Sequence, residues 1–205
     1  MLRLTEWPYI QEVSLTGNME ADMARLLSLN GKQTIATHCT VVAKMAAQLA
    51  AQFGIDRAAA SSAALLHDIS AVLKPKDMME YALYLHWPID EAGKRYPFLL
   101  HQRVSADIAN GVFQIQDEGV LSAITCHTTL KSNPAPLDMV LFLADKLAWD
   151  QEGIPPFYGL IQQELRHSLS RAALAYINFV LDHGMILFPH QWLLNAKDWL
   201  EEATH

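Results

Sequence analysis

The stretch "QTIATHCTVVAKMAAQLAAQF" at residues 33–53 sets the terms for the whole chain. Ile35, Val42, Met45 and Leu49 recur at helical spacing, and nothing in the run alternates as a half-buried strand would. Gly54 is its natural stop. The same period returns further on. "DRAAASSAALLHD" (56–68) opens with Asp56 at an N-cap position and is rich in alanine, and Pro75 opens "PKDMMEYALYL" where a first turn tolerates proline. Residues 86–98, "HWPIDEAGKRYPF", are the most loop-like internal stretch. "LLHQRVSADIANGVF", "DEGVLSAITCHTTL" and "LDMVLFLADKLAWD" (137–150) are again helical in pattern, with "KSNPAP" and "GIPPF" as breaks. A long helix over residues 157–183 and a terminal one after Pro189 complete the reading. With no sustained strand alternation, no repeat and no low-complexity tract, the prediction is an all-α fold, a single helical bundle.

A chain of 205 residues that is 51% hydrophobic can close one sizeable core. Residues 1–18 carry no readable signal and stand as an unassigned N-terminal extension. The domain proper is expected over 19–205. The balance is acidic, with 22 Asp and Glu against 15 Lys and Arg, so neither a nucleic acid nor an anionic membrane is an expected partner. Two distant cysteines, Cys39 and Cys126, are too few for a disulfide framework and fit a reduced compartment. The first residues have no apolar run of the kind a signal peptide or anchor needs, and a cytoplasmic location is expected.

Against this background, certain polar residues stand on apolar faces. His38 precedes Val42, Met45 and Leu49 on one stripe; His67 follows Ala63 and Ala64; His127 follows Val120 and Ile124. Asp145 follows Leu141 and Phe142, where an unpaired carboxylate is costly, and His101 opens the helix bearing Val104 and Ile108. One such histidine alone is ordinarily a core or boundary residue, and Asp68 alone could simply end a helix. Together they form a mixture of imidazoles and carboxylates suited to divalent cations. His86, His167, His183, His190 and His205 lack comparable partners. Cys39 and Cys126 adjoin candidate ligands but are turned about 100° from them along a helix, and buried free thiols are expected.

The order His38, His67-Asp68, His101, His127, Asp145 resembles the metal signature of the HD-domain phosphohydrolases. Within that superfamily the chain is most similar to the bacterial symmetrical diadenosine tetraphosphatases. The stretches that carry the likeness are "THCTVVAKMAAQLA", "ALLHDI", "LLHQRV", "AITCHTT", "LFLADKL" and "GMILFPH". They imply a metal-site core near residues 30–150, followed by C-terminal helices over 157–202. The resemblance further implies two divalent metal ions, iron foremost, with Mn, Co or Zn as alternatives. His38, His67, Asp68 and Asp145 would hold one ion. Asp68 would bridge to a second, completed by His101 and His127. His67 and Asp68 would be the catalytic pair in the sense that they hold the ions that activate water. The implied reaction is hydrolysis of diadenosine tetraphosphate, a small-molecule nucleotide substrate, to two ADP.

The departures from that pattern leave every proposed ligand in place. Where many HD hydrolases have Lys three residues after the Asp, this chain has Ala71, with Lys74 further on. Gln102 and Leu130 stand where the tetraphosphatases usually have Gly, and "KLAWDQEGIPPF" replaces their run after the final Asp. Lys74, Arg103, Lys131 and Lys146 are the candidate phosphate-binding cations, with Arg103 and Lys131 favoured by their closeness in sequence to ligands. Thr128 and Thr129 are candidate hydroxyl donors to substrate, with ending a helix as the alternative, and Trp149, Phe157 and Tyr158 are aromatics for a base, a lid or the core. A hydrolase acting on another nucleotide or phosphate ester is the alternative, and a non-catalytic sensor of metal or nucleotide is a second. The terminal helices carry apolar surface that would suit a homodimer.

Overall fold

The computed structural model describes residues 4–149 and 152–204. His205 and Asp150, the end of one stretch read above as helical, lie outside them. The fold is all-α, and the described residues contain no strand.

A 3-10 turn (Leu4–Glu6) precedes α1 (Met19–Leu29), whose N-terminus is closed by the Asn18 side chain accepting from the Ala21 amide. Leu4 and Ile10 are buried, so this leading segment lies on the core. It then runs α2 (Gln33–Gln52), α3 (Arg57–Leu66), a 3-10 turn (Ile69–Val72), α4 (Pro75–Tyr84), the short α5 (Glu91–Arg95) and a 3-10 turn (Pro97–Leu100). The remaining helices are α6 (His101–Gly111), α7 (Glu118–Cys126), α8 (Pro136–Leu147), α9 (Tyr158–Glu164), α10 (Leu169–Asp182) and α11 (Gln191–Thr204). The stretch 86–98 is thus not wholly loop: Asp90 caps α5 by accepting from the Gly93 amide. The single helix expected over 157–183 is two, because Ser168, in an extended conformation, accepts from the Arg171 amide and starts α10 afresh.

Two features place the site. α2 and α3 pack on each other, and their fully buried residues include Ala46, Ala50, Ala60, Ala63 and Ala64, small side chains that let backbones approach. α8 runs through the middle of the bundle, packed on α2, α3, α7 and α10, with Val140 through Ala144 wholly buried. A helix apolar on all sides belongs inside a core, and Asp145 sits at the end of that apolar run.

Candidate metal centre

The six polar residues singled out by sequence come from five helices and meet at one place. His38 lies in the second turn of α2. His67 closes α3, and Asp68 begins the following 3-10 turn. His101 starts α6, His127 closes α7, and Asp145 is near the C-terminus of α8. Helix ends are where backbone carbonyls have unused lone pairs. Three of the rings exploit this. His67 Nδ1 donates to the Ala64 carbonyl at 2.7 Å, His101 Nδ1 to Phe98 at 2.6 Å, and His127 Nδ1 to Ile124 at 2.8 Å. A carbonyl can only accept, so each Nδ1 carries the proton and each Nε2 is turned inward.

The inward nitrogens converge on the two carboxylates. Asp68 Oδ1 is 3.4 Å from both His101 Nε2 and His127 Nε2, while its Oδ2 is 3.6 Å from His67 Nε2. Asp145 Oδ1 is 3.0 Å from His38 Nε2 and 3.5 Å from His67 Nε2. Two ligand groups result, His38–His67–Asp145 and His67–Asp68–His127, each with its atoms within 4.8 Å of one another. Asp68 brings His101 to the second group.

One contact tests whether these residues fit a cation. His101 Nε2 and His127 Nε2 face each other at 3.0 Å, yet both rings have committed their Nδ1 protons to carbonyls. Two lone pairs at that distance repel unless a cation lies with them or one ring takes up a second proton. His67 Nε2, buried, has no hydrogen-bond partner among the described residues. The donor set, imidazoles mixed with carboxylates, fits two divalent metal ions. His38 is the exception in orientation: its Nδ1 is buried and unpartnered, and its Nε2–H donates to Asp145. To act as a ligand, that nitrogen gives up its proton.

The electrostatics agree with this. Burial opposes charge on Asp68, but His67, His127 and His101 outweigh it and hold the carboxyl far below the usual range. Burial likewise opposes charge on Asp145, and Lys146, His38 and His67 overcome it. Burial also disfavours a charged His67, yet Asp68, Cys39 and Asp145 raise its proton affinity well above the ordinary value. A field that draws a proton to His67 also draws a metal. Burial pulls His127 down to about 4, against the attraction of Asp68 and with help from His67 and His101, so this imidazole is neutral. Both thiols are free and buried.

Around the cluster, the candidate substrate residues are spread apart. Thr128 Oγ1 lies 3.1 Å from His101 Nε2, at the rim of the centre. Arg103 stacks 4.0 Å from the Trp87 ring centroid and donates to the Pro88 carbonyl. Lys131 pairs with Asp138 at 3.1 Å and donates to Ser122. Lys74 sits over the Tyr9 ring. Gln102, buried, accepts from the Thr128 amide at 3.1 Å and donates to Thr129 Oγ1 at 3.0 Å, tying the start of α6 to the turn after His127. That turn ends at Leu130, fully buried in the left-handed region with φ 58°. The sequence flagged both positions as departures without indicating that Gln102 clamps this turn.

Two cavities open beside the centre. One, of about 370 Å³, is lined by Phe98, Thr128, Lys146, Tyr176 and Phe188 among others. The other, of about 280 Å³, is lined by His38, Asp145, Lys146, Trp149 and Phe157 among others. Trp149 Nε1 is buried beside the second without a hydrogen-bond partner among the described residues. Tyr176 borders both cavities and packs edge-on to Phe142 and Phe157, a role with no sequence signal.

Comparisons with known proteins agree with this arrangement. Residues 35–150 match the family model described as HD domain. The chain is 40% identical over 147 residues to a Lactococcus lactis subsp. cremoris protein described as an uncharacterized protein in the pepC 5' region, spanning 72% of this chain and 75% of that one. It is 27% identical over 169 residues to the symmetrical bis(5'-nucleosyl)-tetraphosphatase of Bacillus subtilis (strain 168), spanning 82% and 89%. Its fold is similar, with a TM-score of 0.80 over 94% of this chain and 100% of the other, to a crystal structure of a predicted HD superfamily hydrolase involved in NAD metabolism from Clostridium acetobutylicum, at 24% identity. With its helical bundle and its paired clusters of metal-binding side chains, the chain belongs to the HD-domain family of metal-dependent phosphohydrolases.

Proposed function

We propose that this chain hydrolyses a phosphoanhydride bond within a nucleotide, and that its substrate is diadenosine tetraphosphate, cleaved symmetrically to two ADP. The observation that carries the hydrolytic part is the pair of Nε2 atoms at 3.0 Å on rings whose other protons are already committed. His38, His67, Asp68 and Asp145 would hold one ion, and Asp68, His101 and His127 the other. Such a pair of ions, when bound, lowers the pKa of water and polarises a phosphoryl oxygen. The rest falls to the chain. Asp68 presents one oxygen to each side of the cluster, so one carboxylate sets the spacing of the two groups. Thr128 offers a hydroxyl at the rim of His101, and the apolar wall of the first cavity, with Phe98, Leu187 and Phe188, receives uncharged parts of the substrate. Water supplies the oxygen that bonds to phosphorus, and the bond to the departing ADP breaks.

The tetraphosphate reading is supported by the names of relatives from Bacillus subtilis and Halalkalibacterium halodurans, 27% and 26% identical. A second reading, hydrolysis of a different nucleotide, is favoured by Gln102 and Leu130, which shape the turn carrying Thr128. The deciding experiment supplies anaerobically purified protein with Fe(II) or Mn(II) and diadenosine tetraphosphate, and resolves the products by ion exchange. ADP alone is expected. ATP with AMP would replace symmetrical cleavage with the asymmetric kind, and metal-loaded protein that leaves the dinucleotide intact would replace the substrate.

A further inference from the structure

The centre is flanked by two cavities, and among the described residues only one lysine or arginine lines either of them. Lys146 lines both. Its neighbours in sequence are the ligand candidate Asp145 and the buried Leu147, and its side chain is only 12% exposed. The stem passes Phe142, whose ring centroid lies 5.2 Å from Nζ. Nζ then lies 2.6 Å from Asp145 Oδ2 and 3.4 Å from the His127 carbonyl. An ammonium group has three donors. Two are accounted for by these contacts, one to each half of the ligand cluster, and the remaining one has no partner among the described residues.

The other three cations singled out by the sequence are committed elsewhere. Arg103 is held over Trp87 and borders a different cavity, Lys131 is paired with Asp138, and Lys74 lies on Tyr9. The oxyanions of a polyphosphate extend beyond the ions of the cluster and are held by further positive charge along their path. At the wall shared by the two cavities, Lys146 is the protein's own source of that charge.

We propose that Lys146 is the substrate-contacting cation of this site: one donor fixes Asp145 through Oδ2, leaving Oδ1 toward His38 and His67, and the free donor binds a phosphoryl oxygen of the anion lying across the two cavities. This rests on the phosphohydrolase reading but not on the identity of the nucleotide. A lysine that only neutralised Asp145 would need no place on both cavity walls.

The test uses Mn(II)-loaded full-length protein and inorganic pyrophosphate as probe, comparing wild type with Lys146→Met and Lys146→Arg. Pyrophosphate affinity is read by calorimetry, metal content by mass spectrometry and helix content by circular dichroism. Lys146→Met is expected to keep its helices and metal while binding pyrophosphate about tenfold to a hundredfold more weakly, the loss of one charged hydrogen bond. Lys146→Arg is expected to recover part of that affinity. Unchanged affinity in metal-replete Lys146→Met would overturn the proposal. Loss of metal from both variants would overturn it too, and would leave Lys146 as a holder of Asp145 alone. Wild-type protein that binds no pyrophosphate also overturns it. Lysine-dependent pyrophosphate binding in a protein that does not cleave diadenosine tetraphosphate would instead fault the nucleotide assignment and leave Lys146 in place.

Discussion

Asp68 is held from several sides at once. Each of its oxygens faces a different part of the cluster, and three histidines hold it ionised against burial. Removing it would leave His67, His101 and His127 crowded together with no anion between them. Asp68→Ala is therefore expected to abolish turnover and to release at least one ion per chain, with the helical circular dichroism spectrum largely preserved. Metal analysis beside an activity assay checks both, and full activity would show that the bridge is not needed. The residues that meet here were legible because an imidazole or carboxylate on an apolar stripe is chemically out of place. Lys146 was harder to rank. Closeness in sequence to a ligand was the ground for favouring Arg103 and Lys131, but it does not discriminate, since Lys146 adjoins Asp145; Arg103 turns to Trp87 and Lys131 to Asp138, and only the folded chain fixes those directions.

At the scale of helices, the contact between α2 and α3 controls how closely His38 and His67 approach. Both helices bury alanines completely, Ala46 and Ala63 among them. Ala63→Leu is expected to cost about 1–3 kcal/mol by overpacking and to weaken metal retention by forcing the helices apart. Urea unfolding gives the first effect, and metal content after dialysis the second. A stability loss with metal fully retained would show that the site tolerates the displacement. Helix identities were readable wherever the apolar period ran unbroken. The interruption at residues 165–168 was not, because Ser168 reads as one polar residue within a helical pattern until its hydroxyl is seen to cap α10. Residues 86–98 misled for the opposite reason: Pro88, Pro97 and Gly93 signal a loop, yet Asp90 supports a helix of five residues among them.

For the molecule as a whole, five helices contribute to one centre, so ion binding links distant parts of the chain. Ligand that binds only the folded state raises its stability by mass action. Chelation is expected to lower the melting temperature, and Mn(II) to restore it. The sign of the pH effect follows from His67, whose proton affinity is raised by Asp68, Cys39 and Asp145 despite burial. Metal must displace that proton, so the gain from Mn(II) should be larger near about pH 8 than near about pH 6. Paired melting curves at the two pH values decide this, and an equal or reversed gain would mean that the ligands enter already deprotonated. The all-α architecture was evident from periodicity alone. The lie of residues 4–18 on the core was not, since Leu4 and Ile10 are isolated apolar residues in an irregular segment. Among the described residues no helix is long and apolar enough to cross a membrane.

The way the rings are held has a consequence for how such a centre withstands mutation. His67, His101 and His127 are aimed by the carbonyls of Ala64, Phe98 and Ile124, atoms that every amino acid possesses. Replacing any of those three side chains alters the padding and leaves the aiming atom in place. Sequence drift can therefore run through the surroundings of these ligands without dislodging them. Asp145 has no such insurance, because the group that steadies its outer oxygen is the side chain of Lys146, which one codon change can delete.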